Sequence, residues 1–111
     1  MHRICYLLDE DTPHSLRDQL LRCVPEIEIL VVGGEMGPAR GTPDPQLLHW
    51  IEREGYILVS RNRRTMPRHL RDHLEAGGHI PGIFLLRRRS SIGLILEDLL
   101  LIWEAGRLEE Y

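Results

Sequence analysis

The tightest constraint on the fold is the alternation of short, unbroken apolar runs with segments of helical periodicity. Residues 4–8 (ICYLL), 27–32, 56–60 (YILVS) and 82–86 (GIFLL) are apolar runs of strand length. Between them lie helical patterns. Thr12-Pro13 looks like an N-cap and first-turn proline, with Leu16, Leu20 and Leu21 following over 13–23. Leu47, Leu48 and Ile51 share a face of a helix that starts near Pro43 to Pro45 and is closed by Gly55. Thr65 or Met66 caps a third helix that starts near Pro67, carries Leu70 and Leu74 and ends at Gly77-Gly78. Ser90 or Ser91 caps a fourth that runs to about Ala105 and is closed by Gly106. Strands apolar at every position are buried on both faces, which is the habit of parallel sheets covered by helices. The order βαβαβαβα therefore predicts an α/β fold with a four-stranded, mainly parallel sheet, and right-handed crossovers follow.

The 111 residues suit one domain over 1–111. A chain of this size buries roughly two-thirds of its unfolded surface and needs no staple. Cys5, in a strand, and Cys23, near a helix end, show no metal spacing and read as reduced packing residues. The start, MHRICYLLDED, runs straight into carboxylates, unlike a signal peptide. The apolar runs fall short of the ~20 residues of a membrane span. A cytoplasmic protein with no membrane partner is expected.

Charge is unevenly spread. Every base is Arg, with no Lys, and residues 56–90 carry eight Arg against two acids within a chain of net charge −3. A basic block in an acidic chain suggests a site for an anion or acidic partner. In parallel α/β sheets ligands bind beyond the carboxyl ends of the strands. There stand Asp9-Glu10-Asp11 after the first strand and Asp44 beyond the Gly/Pro loop 33–43. Ser60-Arg61-Asn62-Arg63-Arg64-Thr65 follow the third strand, and Arg87-Arg88-Arg89 the fourth.

Clustered carboxylates repel by roughly 4 kcal/mol at 4 Å and an effective dielectric of 20, so a cation is their natural companion. Mg2+ or Mn2+ suits a few carboxylates plus water and could activate hydroxide against a phosphodiester. The arginines could hold nucleic-acid phosphates. Plainer readings stand beside these: Asp9–Asp11 as a solvated turn with a helix cap, Asp44 as a dipole-favoured first-turn acid, and the Arg run as a solvated helix face. His69 and His73 have the i,i+4 spacing of a zinc pair, but no glutamate lies between them and no third ligand is evident. A receiver domain is excluded by the missing Lys and by Ser60-Arg61-Asn62 after strand three. A P-loop is excluded because GxxxxGK[ST] is absent.

LLDED-TP at 7–13, Asp44 before an apolar helix and YILVSRN at 56–62 together resemble the small bacterial PIN-like proteins of the PIN-domain nuclease superfamily. The resemblance implies a three-layer α/β/α sandwich and a Mg2+- or Mn2+-dependent ribonuclease site of the kind found in toxin–antitoxin toxins. Carried over by position, it makes Asp9 the principal metal ligand and Asp44 the second acid. The third acid falls on Asn62, where the family usually has Asp, and a further polar position falls on Thr65. Glu10 and Asp11 are auxiliary candidates. Arg61, Arg63, Arg64, Arg68 and Arg87 are candidates for RNA contact. Asn62 brings an oxygen but no charge, which weakens hold on a hard cation. Three expectations follow: an RNA-cleaving PIN-like domain, with an antitoxin-like protein as its partner if it is a toxin; a catalytically degenerate PIN-like module binding RNA or protein; and a homodimer through the last helix. That helix carries Ile92, Leu94, Ile95, Leu96, Leu99, Leu100, Leu101, Ile102 and Trp103, more apolar surface than one sheet face needs.

Overall fold

The computed structural model describes residues 4–87 and 89–108. Four strands, β1 (Cys5–Leu8), β2 (Glu28–Val31), β3 (Ile57–Ser60) and β4 (Gly82–Leu85), alternate with α1 (Ser15–Cys23), α2 (Asp44–Glu54), α3 (Met66–Glu75) and α4 (Ile92–Leu108). All pairings are parallel, in the order β2-β1-β3-β4. The expected α/β class and parallel sheet are what the chain adopts, in an arrangement of three layers.

The layers follow from strand periodicity. Successive side chains face opposite sides of a sheet. Tyr6, Leu8 and Val59 pack with Leu16 and Leu20 of α1 and with Ile95, Leu99 and Trp103 of α4. Leu7 and Leu58, one residue out of phase, pack with Leu47, Leu48 and Ile51 of α2 and Met66 of α3. The strand order forces this division. From β1 the chain goes one way to β2, then crosses back over β1 to β3 and β4. Right-handed crossovers put α1 on one face and α2 and α3 on the other, and α4 returns to cover the α1 side.

The last helix uses only part of its apolar surface for this. Ile95, Leu99 and Trp103, spaced i,i+4, are buried, and burying each such side chain is worth about 1.5–3 kcal/mol. Leu94 and Leu101 stay 58% and 63% exposed. The buried Tyr6 hydroxyl donates to the Leu99 carbonyl at 2.7 Å, which ties the central strand to this helix.

Several local expectations are corrected. Thr12 does not cap α1. Its hydroxyl donates to the Asp9 carbonyl at 2.7 Å and closes the turn after β1, while His14 stands at the cap position. Gly106 does not close α4 but lies within it. A Cβ there would come within 2.3 Å of Ile4 Cδ1, so a bare backbone is what lets the helix approach the start of β1. The α3 helix ends at Glu75, before Gly77-Gly78, and Leu74 is 48% exposed, not part of an apolar face. Cys23 is exposed, not a packing residue. Ser91, one of the two expected caps of α4, accepts from the Leu94 N–H at 3.3 Å. Gly55 closes α2 as anticipated, at φ 79°. Among the described residues no helix is long and apolar enough to cross a membrane.

Candidate functional site

The connections from β1 diverge between β1 and β3, and such a switch point opens a crevice at the strands' carboxyl ends. The Asp9 N–H continues the ladder by donating to the Val59 carbonyl at 2.9 Å. Asp9 and Ser60 are therefore neighbours on adjacent strands. By alternation both face the α2/α3 side, where Asp44 opens α2.

Five side chains join there into one network. Asp9 is buried, at 8% exposure. Its Oδ2 accepts from the Ser60 hydroxyl at 2.8 Å, and its Oδ1 from the Glu10 N–H at 2.9 Å. Ser60 Oγ in turn accepts from the Asn62 N–H at 3.1 Å. The Asn62 Nδ2 donates to Asp44 Oδ2 at 3.0 Å and to Thr65 Oγ1 at 2.7 Å, while Asn62 Oδ1 accepts from the Thr65 N–H at 3.2 Å. This fixes the amide's orientation: the reverse would face an oxygen to the Asp44 carboxylate. Asp9 and Asp44, 35 positions apart in the chain, thus converge on one rim through Ser60 and Asn62. His69 Nε2 lies 3.8 Å from the same Asp44 oxygen, Oδ2.

The auxiliary acids divide. Glu10 turns away, its Oε1 accepting from the Gly41 N–H at 3.4 Å. Asp11 stays beside Asp9. Partial burial, and then the charge of Asp9, push its carboxyl above the usual range against opposing hydrogen bonds from the Arg61 backbone and its own. A raised folded-state pKa means that the ionised form costs stability once the pH exceeds the ordinary value of 3.8. Asp11→Asn is therefore expected to raise the melting temperature at pH 7, with the difference from wild type closing as the pH falls below 4. Thermal melts across that range check it.

The arginines build the second half of the site. Arg61, Arg63, Arg64, Arg87 and Arg89, with Asn62 and Leu86, line an open cavity of about 570 Å³. Arg63 Nη1 reaches the Leu85 carbonyl at 3.5 Å and braces the wall. Arg89 sits at φ 60°, a left-handed conformation uncommon for a side chain of this size. Arg68 lies exposed on α3, outside the described lining. Arg88 lies outside the described residues.

Two carboxylates suit Mg2+ or Mn2+, because such ions are commonly held by one or two acids with water and substrate phosphate completing the shell. Each carboxylate oxygen has two lone pairs, so the hydrogen bonds given for Asp9 and Asp44 leave acceptor capacity. Asn62 supplies no third charge, and its oxygen is already engaged by Thr65. No family model, curated protein or solved structure matches this chain.

Sequence reasoning singled out Asp9, Asp44, Asn62 and Thr65 but missed how they are joined. Ser60 reads as the end of the third strand and the start of the Ser60-Arg61-Asn62 stretch, with no role assigned to its hydroxyl, though a polar residue closing a buried strand is the available signal. The contacts of Asp44 with His69 and with the Asn62 amide depend on the packing of α2 against α3 and leave no mark in spacing.

Proposed function

We propose that this chain is a PIN-like domain of ribonuclease type, which holds RNA phosphates on its arginine wall beside a two-aspartate cation site. The observation that carries this reading is the position of Asn62. The residue borders the arginine cavity while its amide grips Asp44, so the basic wall and the acidic rim adjoin. Asp9 and Asp44 would hold Mg2+ or Mn2+, which when bound would stabilise charge on a phosphodiester and lower the pKa of a water. The chain's own residues do the rest. Arg61, Arg63, Arg64 and Arg87 engage phosphates, Ser60 orients Asp9, and Asn62 with Thr65 orients Asp44.

Incubation of purified protein with Mn2+ and single-stranded RNA tests the cleaving half. Cleavage by wild type and its loss in Asp9→Asn are expected; equal cleavage by both proteins identifies a contaminant and removes this reading. The binding half is tested by Arg61→Ala/Arg63→Ala. RNA affinity is expected to fall at least tenfold at low salt, and the dependence of log K on log[salt] to flatten by about 0.7 per lost phosphate contact. Unchanged affinity would overturn it.

One observation favours a second reading, a catalytically degenerate PIN-like module that binds RNA without cutting it. The Asn62 amide donates a hydrogen bond to Asp44, where a third acid would call for a cation. RNA binding that requires the arginines, together with no Mn2+-dependent cleavage, is its signature. A toxin role with an antitoxin-like partner belongs to the cleaving reading alone.

A further inference from the structure

Away from the rim, between the bodies of α2 and α3, a second set of polar side chains converges. His49 and Glu52 stand i,i+3 on α2 and so share a face. His73 meets them from the last turn of α3. Its side chain is 4% exposed, and its Nε2 lies 3.0 Å from Glu52 Oε1. The His49 and His73 rings approach to 4.8 Å between centroids at 70°. One ligand atom from each of the three residues falls within 4.8 Å of the others. Four-coordinate zinc, with bonds of about 2.0–2.1 Å, holds its ligands about 3.4 Å apart. The three ligand atoms therefore have to close in by no more than about 1.4 Å to reach that spacing.

Two further features support a built site. Glu52 also accepts the His79 N–H, so its carboxylate is oriented from the loop before β4. Gly78 presses against the histidine: a Cβ there would come within 2.5 Å of His73 Nε2, so only a bare backbone leaves room for the ring. The three residues border an open cavity of about 440 Å³, which gives an ion a route in and leaves a fourth position to water.

We infer that His49, Glu52 and His73 form a site for Zn2+ or a similar borderline divalent ion, bridging α2 and α3. Two imidazoles and one carboxylate match such ions and not the all-oxygen preference of Mg2+. The ion would fasten the two helices that begin at Asp44 and just after Thr65. This inference does not rest on the RNA reading, since none of its three ligands belongs to the rim. The competing account is a metal-free clasp made by the His73–Glu52 contact alone.

His49 separates the two. It is exposed and touches the clasp only through the edge contact of its ring with His73, so His49→Ala should keep the apo protein folded. Tag-free protein carrying Cys23→Ser, to remove the exposed thiol, is titrated with Zn2+ against a chromophoric chelator. One Zn2+ per chain at micromolar affinity or tighter is expected, with at least tenfold weaker binding in His49→Ala, whose apo form still melts cooperatively. Co2+ should give the intense visible bands of a tetrahedral site in the His49-containing protein only. Equal Zn2+ affinity with and without His49, or no binding by either protein, overturns the proposal.

Discussion

Asn62→Asp is expected to destabilise the protein in the absence of divalent ions and to make its stability respond to Mn2+. The substitution removes the amide's donation to Asp44 and Thr65 and sets a second carboxylate where the first stood 3.0 Å away. Losing the donor while keeping the part-buried acceptors, with the added repulsion from Asp44, costs about 2 kcal/mol. That corresponds to a fall of roughly 8 °C in melting temperature for a domain of this size. Repulsion raises the pKa of one of the paired acids, so the deficit is fully present at neutral pH and shrinks as the pH falls through the carboxylate range. A divalent ion should reverse it. Saturation at about a hundred times the dissociation constant returns roughly 2.7 kcal/mol, and wild type, with one charge fewer, should gain less. Melts of both proteins with and without Mn2+ measure all of this. If Asn62→Asp is as stable as wild type and indifferent to Mn2+, the rim is not a cation site and the cleaving reading fails.

Truncating one side chain on each face of the sheet should bring the protein close to unfolding. Leu20 on α1 and Leu48 on α2 are fully buried, in separate apolar clusters divided by the sheet. Each Leu→Ala change leaves a cavity and is expected to cost about 2–5 kcal/mol. Sites with no shared partner add, so the double variant should lose the sum, out of a total stability of about 5–15 kcal/mol for an ordinary domain. Urea unfolding of the two single variants and the double variant provides the check. A double variant much more stable than the sum would mean that the two layers share strain through the sheet.

The layered architecture was legible because it rests on local patterns. Strands apolar at every position announce two covered faces, and Leu47, Leu48 and Ile51 mark the buried side of α2. The convergence of Asp9, Asp44 and Asn62 on one rim was legible too, since strand ends in a parallel sheet gather on one edge. Other features depend on distances between elements. Thr12 looked like a cap because Thr before Pro usually is one, and only the turn geometry after β1 turns its hydroxyl back to Asp9. Gly106 looked like a terminator because the approach of Ile4, about a hundred positions earlier, is invisible in the chain. His73 showed His69 as its i,i+4 neighbour, while the groups it meets, His49 and Glu52, stand more than twenty positions away on another helix.

The bond from Tyr6 to Leu99 joins the first strand to the last helix across 93 positions. Tyr6 and Leu8, which α1 covers on one flank, are therefore only partly covered on that side until α4 has been made. During synthesis from the N-terminus, β1 and α1 emerge long before their closing partner, and the apolar surface that Ile95, Leu99 and Trp103 will cover stays open. A nascent chain of this design waits for its final helix before its centre becomes dry, and that interval is when it is most open to aggregation or to the attention of a chaperone.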